Sequence, residues 1–138
     1  MRLVLDTNVL LDFFMERDMG RHRDCVELVR KVRGGEVQAV ILSVVIAEMV
    51  WVMTSIYGLK RSEIAEMVQS VVQMKGVLVG ERYEWISTLE QYTRMKVKFI
   101  DAMIANVRQI KSKKWAVVTY DKEFDKLGVL KMEPGNIK

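Results

Sequence analysis

The chain has 138 residues, half of them hydrophobic and 29% charged, with a single proline and a formal net charge of +4. Such a balance supports one apolar core and excludes a low-complexity or disordered chain, so one domain spanning residues 1–138 is expected. The first acid, Asp6, comes after only five residues and no long uncharged run follows, so neither a signal peptide nor a membrane span is expected and a cytoplasmic location follows.

In chain order, RLVL at 2–5 is a short apolar run that stops at Asp6 and predicts a buried strand. A helix is expected to carry Asp12, with that side chain facing solvent. In HRDCVELVRKV, Cys25, Leu28, Val29 and Val32 recur on one helical face, and Gly34 and Gly35 supply a stop signal. Cys25, the lone cysteine, has no partner for a disulfide or zinc site and reads as helix packing, while His22 reads as surface. QAVIL at 38–42 predicts a second strand, with Ser43 capping the apolar helix VVIAEMVWVMTSIYG, in which Trp51 is expected to pack on the core.

Ile64, Met67, Val68, Val71 and Val72 mark the next helix, with Ser62 as a candidate cap and Gly76 at its end. VLV at 77–79 is a third strand. YEWISTLEQYTRM and FIDAMIANVRQIKS read as two further helices; in the first, Trp85 and Tyr92 are seven residues apart and can share a face. WAVVT at 115–119 is a fourth strand beginning at a structural Trp115, and a last one is expected near Val129–Met132. Alternating strands and helices, with strands apolar on both faces, predict a three-layer α/β domain: a central parallel sheet flanked by helices.

Charge is uneven along this pattern. Residues 91–138 hold 11 Lys or Arg against 5 Asp or Glu, a balance of +6, whereas residues 1–90 hold 11 against 13, a balance of −2. The basic last third favours an anionic partner.

Four acids are out of place beside this core. Asp6 and Asp121 follow the ends of predicted strands, Glu48 lies early in the apolar third helix, and Asp101 lies near the start of another. All four fall at the carboxyl edge of the sheet, where open α/β sheets place ligand sites. Converging carboxylates raise one another's pKa, and a divalent cation removes that repulsion. An oxygen-only set without His or Cys favours Mg²⁺ or Mn²⁺ and disfavours a zinc hydrolase; it suits phosphodiester hydrolysis by an activated water. Each acid has a plainer reading: an Asx turn for Asp6, a cap or turn for Asp101 and Asp121, a buried ion pair for Glu48.

The segments LVLDTNVLLDFF, SVVIAEMVWV, FIDAMIANV and VVTYDKEFDKLG, in that order, resemble the PIN-domain nucleases, and among them the VapC-type toxins. The resemblance implies a metal-dependent endoribonuclease with catalytic and metal-binding Asp6, Glu48, Asp101 and Asp121. Thr7, Asn8 and Thr119 would hold those carboxylates in place. It also implies an RNA substrate, a homodimer and a cognate antitoxin. Basic residues between Arg94 and Lys126, chiefly Lys98, Arg108 and Lys122, are the expected RNA contacts. An RNA-maturation nuclease, a non-catalytic nucleic-acid-binding module and a phosphotransfer domain with a nucleophilic aspartate remain alternatives.

Overall fold

The computed structural model describes residues 1–138 apart from the side chains of Trp85 and Leu89. Its strands are β1 (Arg2–Leu5), β2 (Gln38–Ile41), β3 (Val77–Val79), β4 (Trp115–Val118) and β5 (Lys131–Met132). Its helices are α1 (Thr7–Phe14), α2 (Met19–Arg33), α3 (Ser43–Ser55), α4 (Arg61–Val72), α5 (Trp85–Arg94), α6 (Phe99–Ala105) and α7 (Arg108–Lys111). All strand pairs are parallel, in the order β3-β2-β1-β4-β5.

This is the expected α/β domain with a central parallel sheet. β1 and β4 lie inside the sheet, so Leu3, Val4 and Leu5 on one and all four residues of the other are buried, which explains why neither alternates apolar with polar. β3 is an edge, and there Leu78 and Val79 are exposed.

Strand order decides where a site forms. From β1 the chain runs outward through β2 to β3, then crosses back to place β4 on the other side of β1. The β1/β4 junction is therefore the topological switch point, where a crevice opens beyond the strand ends. One glycine shapes the approach to the sheet: Gly76 has φ 88°, and a Cβ there would lie 2.5 Å from the Val32 carbonyl at the end of α2.

Several local expectations are corrected. Ser43 and Ser62 are not caps, because Leu42 and Lys60 occupy those positions. The N-terminus of α3 is instead met by Glu81, whose carboxylate accepts the Ser43 N–H at 3.1 Å, the Ser43 hydroxyl, and the Tyr83 hydroxyl at 2.8 Å. The helix expected through 99–112 breaks at Asn106 and Val107. Asn106 Nδ2 donates to the Ala102 carbonyl at 2.8 Å and to Gln91 Oε1 at 2.6 Å, and Val107 is extended, bridging to Tyr83.

Trp51 is 61% exposed rather than packed, since α3 buries Val45, Met49 and Met53 and position 51 faces away from that line. Asp12 is buried, not solvent-facing, because α2 packs over α1 and Arg17 reaches its carboxylate. His22 is half-buried, with Nδ1 2.8 Å from the Asp12 carbonyl oxygen. Cys25 and Trp115 pack in the core as expected. Tyr92 meets Phe99 edge-on; its expected partner Trp85 lies outside the described side chains. Among the described residues no helix is long and apolar enough to cross a membrane.

Candidate active site

Asp6 is the residue after β1, and its N–H donates to the Val118 carbonyl of β4 at 3.0 Å, fixing it at the switch point. It caps α1: Oδ1 accepts the Thr7 N–H at 2.8 Å. Oδ2 accepts the Thr119 hydroxyl at 2.6 Å and Asn8 Nδ2 at 3.4 Å. The plainer cap reading of Asp6 is thus also true, and it holds the carboxylate at the crevice.

Thr119 ties the two strand ends together. While its hydroxyl donates to Asp6, the oxygen accepts from Asn8 Nδ2 and from the Asp121 N–H, both at 3.0 Å, so its hydrogen-bonding capacity is filled. Asn8 Oδ1 accepts the Tyr120 N–H at 3.3 Å. Asp121 caps the short helical turn at 122–126 by accepting the Glu123 N–H at 2.9 Å. From the opposite wall, Glu48 of α3 accepts the Thr7 hydroxyl at 2.8 Å.

Asp101, in the first turn of α6, is buried, and its Oδ2 has no hydrogen-bond partner. All four acids line one cavity of about 190 Å³ with Thr7, Asn8, Leu11, Val52 and Lys98. Among the described residues Lys98 is the one basic side chain lining it; Arg108 and Lys122 are exposed and do not.

The electrostatics follow from this convergence. Burial pushes the Asp101 carboxyl up to about 7, the charges of Asp121, Asp6 and Glu48 add to the rise, and Lys98 opposes it. Asp6 is pushed up to about 6, again chiefly by burial; the Thr119 and Thr7 hydrogen bonds pull it down, and Glu48 and Asp121 push it up. Among the described residues no three acidic, His or Cys side chains stand in a ready-made ligand cluster. Asp6, Glu48 and Asp121 are each turned to protein donors. The orphaned Asp101 oxygen, the mutual repulsion and the oxygen-only donor set nevertheless fit a hard divalent cation.

Residues 3–130 match the family described as PIN domain. The chain belongs to the PIN-domain family. No curated protein matches it. Among solved structures, this PIN-domain chain is similar to VapBC-1 from nontypeable Haemophilus influenzae, at 15% identity and TM-score 0.67, covering 97% of this chain and 98% of that one. It is also similar to VapBC2 from Rickettsia felis bound to a DNA fragment from their promoter, at 16% identity and TM-score 0.65, covering 96% and 98%. PAE2754 from Pyrobaculum aerophilum is similar at 17% identity and TM-score 0.63, covering 95% and 83%. At these identities the likeness is one of fold.

Two residues that organise the PIN-domain crevice were missed in the sequence. Glu81 anchors the start of α3, the helix that carries Glu48, from 38 residues away, and no local pattern links the two. Arg17 reaches the Asn8 carbonyl beside the cavity; it sits in a polar stretch, MERD, with nothing to mark it.

Proposed function

We propose that this PIN-domain protein is a Mg²⁺- or Mn²⁺-dependent endoribonuclease, and the toxin of a VapBC-type pair held in check by a cognate antitoxin. The observation that carries the nuclease reading is the convergence of Asp6, Glu48, Asp101 and Asp121 on one crevice, with two of them pushed far above the ordinary carboxylate range. The family and its general metal dependence support the same reading. The fold shared with two VapBC structures supports the toxin role, a homodimer and an antitoxin partner.

Asp6, Glu48 and Asp101 would hold the cation, with Asp121 contributing directly or through water. When bound, the ion supplies Lewis-acid charge and lowers the pKa of a water. The protein's own share is positioning. Thr119 and Asn8 orient Asp6, Thr7 orients Glu48, and Lys98 at the rim sets an RNA phosphate against the acids. In hydrolysis the water oxygen adds to phosphorus and the P–O3′ bond breaks, leaving a 5′-phosphate and a 3′-hydroxyl. His22, the lone histidine, is engaged with the Asp12 carbonyl, and among the described residues no imidazole lines the cavity to serve a 2′-hydroxyl route.

The test is cleavage of a defined RNA panel with MgCl₂ or MnCl₂, and with EDTA. The expected result is 5′-phosphorylated products that vanish with EDTA and return on adding Mn²⁺. Products bearing a 2′,3′-cyclic phosphate, or turnover indifferent to EDTA, would refute the reading.

A further inference from the structure

Arg17 sits between α1 and α2 with its guanidinium pinned on three sides. Nε donates to Asp12 Oδ1 at 3.0 Å, Nη1 to the Tyr57 hydroxyl at 3.4 Å, and Nη2 to the Asn8 carbonyl at 3.5 Å. Asp12 is buried, its second oxygen has no hydrogen-bond partner, and it is held beside the guanidinium by α1 and α2. A buried carboxylate is costly unless paired, so the cost of freeing Arg17 keeps the guanidinium in place.

A guanidinium carries five N–H groups. Three are used here, which leaves one N–H on each terminal nitrogen to offer to the oxygens of a phosphate. The side chain is 32% exposed. Its anchor Asn8 lines the cavity of the four acids, as does Leu11, which precedes Asp12 in α1.

We infer that Arg17 is a phosphate-binding subsite for single-stranded RNA, gripping a backbone phosphate next to the one presented to the acidic crevice. The inference rests on the ribonuclease reading and deepens it, assigning to the RNA path a basic residue from outside the basic last third of the chain. An acidic crevice repels its own substrate, and a fixed cation at the margin offsets that repulsion without adding positive charge among the acids. Because the guanidinium is aimed by Asp12 rather than free on a long stem, less order is lost when it engages.

The experiment is binding of a fluorescein-labelled single-stranded RNA by anisotropy, in EDTA so that nothing is cleaved, across a range of KCl concentrations. Wild type, Arg17→Lys, Arg17→Ala and the double variant Asp12→Asn/Arg17→Ala are compared, with the double variant guarding against misfolding from an unpaired Asp12. Loss of one phosphate contact should lower the slope of log K against log salt by about 0.7 and weaken binding by about tenfold near physiological salt. Arg17→Lys should keep the slope and lose part of the affinity.

If wild type binds RNA and the folded double variant keeps both slope and affinity, the inference is overturned, and the guanidinium is left to a carboxylate of a protein partner. Cleavage by wild type in Mn²⁺, run alongside, separates the two failures. Without cleavage the nuclease reading falls, whereas the slope still decides Arg17; cleavage in Mn²⁺ with no RNA binding by wild type in EDTA overturns the Arg17 subsite alone.

Discussion

Replacing Asp101 by asparagine is expected to lower the RNA-cleaving rate on the order of 10³-fold, equivalent to about 4 kcal/mol of barrier, while the protein stays folded. The side chain is buried in the first turn of α6, its Oδ2 is unpartnered, and the other three acids face the same cavity. An amide of the same shape keeps the packing but loses the charge and one ligating oxygen. Glu48→Gln should behave alike, with the Thr7 hydrogen bond preserved through the remaining carbonyl oxygen. The check is single-turnover cleavage of one defined RNA at saturating Mn²⁺, with circular dichroism confirming the fold. Near-normal rates from either variant would remove that residue from the site.

The second large effect runs in the opposite direction, on stability. In the folded chain without metal, Asp6 and Asp101 bind protons more tightly than in the unfolded chain, since both are raised from 3.8, to about 6 and about 7 respectively. Between those limits the native state carries the extra protons, so stability falls as pH climbs from about 4 to about 7 and stays low above it. Asp101→Asn removes the larger of the two penalties. After allowance for water entering the open cavity, the variant should be more stable than wild type by about 2 kcal/mol at pH 8, with the gap closing towards pH 4. Urea denaturation in EDTA at several pH values measures this. A variant less stable than wild type at pH 8 would show that burial and the neighbouring acids do not penalise the Asp101 charge as described.

Asp6 and Glu48 were legible in the sequence because each breaks a local rule, Asp6 ending an apolar strand and Glu48 interrupting an apolar helix; Asp101 and Asp121 are ordinary acids for an element start and were legible only through their placement at the same edge of the sheet. Strand runs were legible for the same reason in reverse, since the central strands are apolar throughout. Strand order was not, and with it the position of the switch point, because it depends on crossovers of tens of residues; Thr119 was tied to the acids only through the family resemblance. Long-range polar partners were hidden likewise. Ser43 looked like a cap, but its partner Glu81 lies beyond two helices and a strand. Asp12 looked exposed because its ion pair with Arg17 forms only once α2 folds over α1. Trp51 misled by composition: a tryptophan in an apolar helix suggests packing, yet the buried line of α3 runs through Val45, Met49 and Met53.

The central claim, a cavity whose acids are built to share a cation, is tested most directly by isothermal titration of Mn²⁺ into wild type and Asp101→Asn at pH 6.5, in two buffers of different ionisation enthalpy. Wild type should bind and release about one proton, displaced from the raised carboxyls, and the variant should bind at least about tenfold more weakly with less release. Equal affinity in both proteins, or wild-type binding with no proton released, would contradict it.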